Sequence, residues 1–258
     1  MHLRQAGEHA SWVVPGEWHS VVETLGLWAF GLALGAALTL GWLHRRRYAT
    51  DDVLSDHDRE VVHEALRAAE RRTIGEIVPV VLERSDRHPA ARWIAALAGL
   101  LLGSGTLVGV LPWGAPLQLL LCQLALGALG FALAAWLPPV RRCFIVESRA
   151  TEVAEEQAVQ EFFGLGLRET EGRTGVLLMV SLLERRVIVL ADQGISERVE
   201  PTAWQEARDA VLSGIRRGSL RDGLIDGITK IADVLAEHAP WQAGDRNELP
   251  DRLIVRRD

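Results

Sequence analysis

TGVLLMVSLLERRVIVLADQG, Thr174–Gly194, decides how the rest of this chain is read. Gly175–Leu183 is a near-continuous apolar run, the pattern of a strand buried on both faces. Glu184-Arg185-Arg186 makes a polar turn, and Val187–Ala191 returns as the hairpin partner. Upstream, Thr151–Leu167 places Ala154, Ala158, Phe162 and Leu165 on one helical face; downstream, Pro201–Arg217 and Ser219–His238 form two helices separated by Gly218. Further upstream, Val53–Arg72 is an amphipathic helix with Ser55 as N-cap. Glu76–Glu83 is a short β-branched strand in which Pro79 argues for an edge or a bulge. A right-handed crossover makes strand 76–83 parallel to strand 175–183. The expected fold is α/β: a three-layer domain, a mixed sheet flanked by helices, split by a transmembrane helical hairpin and preceded by one N-terminal transmembrane helix.

The membrane segments stand out by what they lack. Residues 24–43, 93–111 and 117–137 contain no Asp, Glu, Lys or Arg. At about 20 residues each they match the hydrocarbon core. Trp42, Trp93, Trp113 and Trp136 sit near their ends, where indoles prefer the interface. Arg45, Arg46 and Arg47 follow the first span, Arg84, Arg87 and Arg92 precede the second, and Arg141 and Arg142 follow the third; the link 112–116 is uncharged. This distribution predicts an external N-terminus and a cytoplasmic C-terminus in a bacterial plasma (inner) membrane. Gly99, Gly103, Ser104 and Gly105 facing Gly127 and Gly130 fit either close helix packing or a small-residue lipid face. The resulting division is an external segment 1–23, span 24–43, a first domain part 51–92, the hairpin 93–137, a second domain part 143–240, and a tail 241–258. Leu249, Leu253, Ile254 and Val255 are too apolar for a solvated tail, so it should dock.

Charge and cysteine exclude several function classes. The net charge of −6 and the interspersed arginines give no basic footprint for nucleic acid. The two cysteines, Cys122 and Cys143, have no zinc or disulfide spacing. No P-loop, nucleophile elbow or zincin motif is present. Asp56, His57, Asp58 and His63 look metal-like, but His57 and His63 are six apart and share no helical face. Ser181 has no histidine within sequence reach, and the spans contain no ionisable group of the kind that marks an ion path.

Three runs together resemble the TPM domain family: Arg72–Val78, Thr174–Val187, and Ala191–Ile195. Asp222-Gly223-Leu224 and Asp245–Asp251 are similar to its bacterial multi-pass membrane branch. The resemblance covers roughly residues 51–256 and implies an anchored α/β domain. Within the family, one branch is associated with acid phosphatase activity, another with receptor modulation, and some members bind calcium. Calcium-binding members carry an acidic residue in the loop before the glycine-led strand. Here that loop is Gly172-Arg173-Thr174-Gly175, so no metal or other cofactor is expected.

The strand directions bring Glu76, Arg173, Thr174 and Asp192 to one sheet edge, a candidate polar site for which a salt-bridged edge between Arg173, Asp192 and Glu76 is the simpler reading. Glu83, Arg84, Ser181, Glu184 and Arg185 fall at the opposite edge, facing the membrane. Two functions follow: an interaction or assembly module for membrane proteins, with the bilayer and a membrane or cytoplasmic protein as partners, or a membrane-bound acid-phosphatase-like hydrolase.

Overall fold

The computed structural model describes residues 39, 50–110, 116–243 and 247–257. Apart from residue 39, the expected first span, with Trp42, lies outside the described residues, as do Arg45, Arg46, Arg47 and Trp113. The chain divides into two units, residues 1–43 and 44–258, and all that follows concerns the second.

A short helix α1 (Thr50–Val53) leads into α2 (Asp56–Glu70). Ser55 starts α2 through a capping box: its hydroxyl accepts from Asp58 N at 3.1 Å, and the Asp58 carboxylate accepts from Ser55 N at 3.0 Å. Strand β1 (Ile77–Leu82) follows, then the paired helices α3 (Pro89–Val110) and α4 (Pro116–Trp136). The chain returns through α5 (Pro138–Cys143), α6 (Glu147–Gly164) and a 3₁₀ turn (Leu167–Glu169) to β2 (Val176–Ser181) and β3 (Arg186–Ala191). Helices α7 (Gln193–Ser196), α8 (Pro201–Arg216) and α9 (Leu220–His238) precede a last strand, β4 (Ile254–Arg256).

The sheet is mixed, in the order β3-β2-β1-β4. β1 runs parallel to β2, from Ile77 opposite Val176 to Leu82 opposite Ser181, and β2 runs antiparallel to β3. Side chains alternate between two cores. Ile77, Val81, Leu178 and Val180 pack with Leu66 of α2 and Leu224, Ile228 and Ile231 of α9. Val78, Val80, Leu177 and Met179 pack with Ala154, Ala158 and Phe162 of α6. Both faces of β1 and β2 are covered, which is why these strands read as unbroken apolar runs.

Two expectations are corrected. β1 is a central strand despite Pro79, and a fourth strand exists where only a docked tail was foreseen. One fact explains both. Glu76 O and Leu82 O accept from Val176 N and Leu182 N, so even-numbered β1 residues turn their backbone groups to β2 and odd-numbered ones turn away. Pro79 thus presents its missing N–H to the β4 side, just ahead of the first β1–β4 pair, Val80 with Ile254.

Helices α3 and α4 pack antiparallel. A Cβ on Gly130 would lie 2.4 Å from Ala95 O, and one on Gly99 would lie 2.6 Å from Leu126 O. These glycines therefore sit at the helix–helix contact, whereas Gly105 faces open space. The Trp93 ring packs on Phe131 at 5.0 Å. Outer faces expose Leu97, Leu101, Leu102, Leu120, Leu121 and Leu124. Over Leu119–Trp136, α4 is long and apolar enough to cross a membrane; among the described residues no other helix meets that measure. The base of the pair is fixed to the domain by Ala91, Ile145, Ala150 and Leu183, which form a small core of their own.

Truncation after Pro240 removes β4 and the buried Leu253, and should destabilise the detergent-solubilised protein by about 2–4 kcal/mol, read as a lower melting temperature. An unchanged melt would mean that β4 contributes nothing. A Gly/Ser linker replacing residues 96–133, with the first 49 residues removed, should leave a soluble, cooperatively melting domain. Replacing 88–142 instead should melt lower, because it strips the buried His88 from Glu184.

Candidate functional site

At the amino edge of β1 and β2, the chain brings all four expected residues close, but in two separate groups. Asp192 caps α7, accepting from Gln193 N at 2.7 Å. Arg173 reaches the same carboxylate with Nε at 3.4 Å and Nη2 at 3.5 Å, and donates through Nη1 to Gln193 Oε1 at 3.0 Å. Thr174 is turned away, its hydroxyl donating to Ile74 O at 3.4 Å. Glu76 is buried and accepts from Glu248 N of the tail at 2.9 Å. Arg173 holds φ at 55°, in the left-handed region, which keeps its guanidinium over Asp192. A guanidinium in that position opposes a cation on Asp192, so the Arg173–Asp192 pair does not fit calcium. Among the described residues no three His, Cys, Asp or Glu side chains converge as metal ligands.

The same edge holds an acidic group that sequence reading missed. Glu70, at the end of α2, has its carboxyl raised to about 9, first by burial, then by its hydrogen bond to Asp251 and the charges of Asp251 and Glu76. The signal was the acidic run 245–251, whose destination depends on where β4 docks.

The carboxyl edge carries a denser network. Glu184 is fully buried, and His88 and Ser181 are 4% and 0% exposed. His88 Nε2 lies 2.5 Å from Glu184 Oε1. Ser181 donates its hydroxyl to Glu184 Oε2, Ser85 N donates to the same oxygen at 3.0 Å, and the Ser85 hydroxyl meets Ser181 Oγ at 3.0 Å. Burial alone would raise the Glu184 carboxyl, but the bonds from His88, Ser181 and Ser85 outweigh it and hold the group below the ordinary range. A histidine is therefore present near Ser181 after all, but it reaches Glu184, and the serine donates to the carboxylate instead of to an imidazole. His88 and Arg185, with φ of 47° and 55°, are the strained residues of this edge. Arg141 caps the end of α4, donating to Ala134 O at 3.0 Å and Ala135 O at 2.5 Å. Burial, with Arg92 and Arg84 nearby, pushes its guanidinium down to about 10.

Two opposite pH dependences follow. The depressed Glu184 stabilises the fold above the ordinary carboxylate range, and that contribution is lost on acidification. The raised Glu70 does the reverse: the fold loses stability as pH climbs from 4.5 towards 9. Glu70→Gln should accordingly raise the melting temperature at pH 8, with the gap closing towards pH 5. The same gap at both pH values would show that Glu70 is already ionised.

Comparison with known proteins agrees with this architecture. The chain is similar in structure to the BA42 protein of the psychrophilic bacterium Bizionia argentinensis, solved by NMR. The TM-score is 0.50 and the identity 20%, over 78% of this chain and 94% of that one, a likeness of fold alone. No curated protein matches the chain significantly. The TPM domain family matches residues 142–234, from α5 into α9, while β1 and β4 complete the sheet, and α2 covers it, from outside that stretch.

Proposed function

We propose that this chain is a membrane-anchored TPM-like domain that serves as an interaction and assembly module for membrane proteins, on the cytoplasmic side of a bacterial plasma membrane. The observation that carries this reading is the α3–α4 pair. Its inner seam is closed by glycine contacts, while its outer faces present leucines to the surroundings. Trp93 and Trp136, 68% and 73% exposed, mark its domain-proximal end at the height where indoles meet headgroups. Both helices cross together, as a hairpin, in this reading. Arg84, Arg87, Arg92, Arg141 and Arg142 gather at that same end, which supports an external N-terminus, a first span over 24–43 and a cytoplasmic domain.

The polar clusters support a binding role over the hydrolase alternative. At the amino edge, the Asp192 carboxylate is taken by Arg173 and Gln193 N, and Glu76 holds the tail. At the carboxyl edge, Ser181 is fully buried with its hydroxyl directed to Glu184. These groups join segments of the chain to one another.

A periplasm-dependent reporter fused after Asp258 should be silent; activity would reverse the orientation. Detergent-purified protein should hydrolyse an aryl phosphate no faster than background, with or without calcium. Hydrolysis that disappears in both Glu76→Ala and Asp192→Ala would replace the module reading with the hydrolase.

A further inference from the structure

Strand β3 is the outermost strand on its side of the sheet, and its sequence leaves that edge undefended. Its six residues pair one-to-one with β2, without a bulge, and Val187–Ala191 contains neither proline nor charge. Native edges are blunted by such devices, as β4 is by its three-residue length and Arg256. The direction of each backbone group follows from one bond. Asp192 N donates to Gly175 O at 2.9 Å, so Asp192, Leu190, Ile188 and Arg186 exchange bonds with β2. Val187, Val189 and Ala191 therefore turn three N–H and three C=O groups outward. Among the described residues, no backbone or side-chain group bonds them. Helices α6 and α8 pack against β3 from its two faces, yet Ile188–Ala191 are only half-buried. With both faces covered, the remaining exposure lies along the edge.

We propose that the β3 edge takes up an extended apolar segment of a partner protein as a fifth strand, antiparallel to β3. The proposal rests on the module role and names what that module binds. A row of alternating donors and acceptors is matched by another extended backbone, and antiparallel ladders are the more stable kind. The register sets the side chains. Val187, Val189 and Ala191 face the core beneath α8 and α9, whereas Ile188 and Leu190 face that of α6. A partner residue opposite Val187 points to the same face as Val187. There, a cleft of about 810 Å³ has Val187, Leu212 and Ile215 in its wall, with room for an apolar side chain. The partner segment is therefore apolar at alternate positions, with its last apolar residue directed to that cleft. A second copy of this chain is the poorer match. Antiparallel pairing of β3 with its counterpart would send the two α3–α4 pairs in opposite directions, which one bilayer cannot accept. Only this exclusion rests on the membrane reading.

The probe is the peptide acetyl-KVTVTVE-amide, whose valines fall opposite Ala191, Val189 and Val187 when it runs antiparallel. It is added to the full chain in neutral detergent micelles, and amide hydrogen exchange is followed residue by residue by NMR. In the free protein Val187, Val189 and Ala191 should exchange fast, and Ile188 and Leu190 slowly. Saturating peptide should slow the three outward amides by about tenfold or more and leave the other two unchanged. Val189→Pro removes one outward donor and leaves the ladder with β2 intact. That change, or N-methylation of the peptide's central valine, should weaken binding by about fivefold or more. Should Val189→Pro lower the peptide-free melt, the N-methylated peptide carries the control alone. Three results overturn the proposal: no protection by the peptide, outward amides already protected in the free protein, or binding indifferent to N-methylation. Self-association that Val189→Pro abolishes also overturns it, giving the edge to a second copy. Carbonate extraction of native membranes reads the anchoring separately. Release of the protein would end the membrane reading and leave the peptide result standing; retention without peptide protection would end the strand site alone.

Discussion

The parallel pairing of β1 with β2 is the constraint on which the rest of the molecule depends. It joins segments almost a hundred residues apart and aligns Leu82 with Ser181, so the two strands end level. Level ends make two distinct edges. At the amino edge the strands begin with acids and a glycine loop, which the tail then closes. At the carboxyl edge β1 runs out towards an apolar helix pair, while β2 turns sharply through Glu184 and Arg185. A slip of β1 by one residue would send Ile77 and Val81 to the wrong core. Burial on both faces and the polar arrangement at both ends are thus one requirement.

How much of this was legible in the sequence depends on the range of the interaction. The strand run 176–181, the capped helix at Ser55 and the paired apolar helices declare themselves within a few residues, because periodicity, capping and absence of charge are local properties. β4 does not. It is three residues long and carries an arginine, and it is a strand because β1 has an open side from Val80 onward. His88 shows the same limit at the carboxyl edge. Its sequence neighbours give no hint that it will be buried, since the carboxylate that receives it lies 96 residues away. At the amino edge, the strand directions grouped Glu76, Arg173, Thr174 and Asp192 as one candidate site. They did not reveal that Arg173 would bond Asp192 while Glu76 bonded the tail. Which partner wins among several nearby charges is settled by loop conformation, here by the left-handed Arg173.

The arginines divide their work by position. Those at the base of the helix pair, Arg84, Arg92 and Arg141, surround the end of α4, where Arg141 also completes the backbone hydrogen bonding of that helix. Arg185, Arg186, Arg216 and Arg221 line a cleft beside the β2–β3 turn. These arginines belong to a protein whose overall charge is negative. Net charge alone therefore says little about which surface meets an anionic bilayer.

The insertion of α3 and α4 between β1 and β2 also sets an order of assembly. β1 leaves the ribosome well before its partner: Ser85 precedes Ser181 by 96 residues. At synthesis rates of about 5–20 residues per second, that delay is on the order of 5–20 s. During it, an apolar strand with both edges unpaired is exposed to the nascent chain's surroundings, a template for non-native pairing. Delivery of the helix pair to the bilayer in the same interval would hold β1 at the membrane surface, where its partner must later arrive. Biogenesis of this fold then depends on shielding one short strand until the second half of the domain has been made.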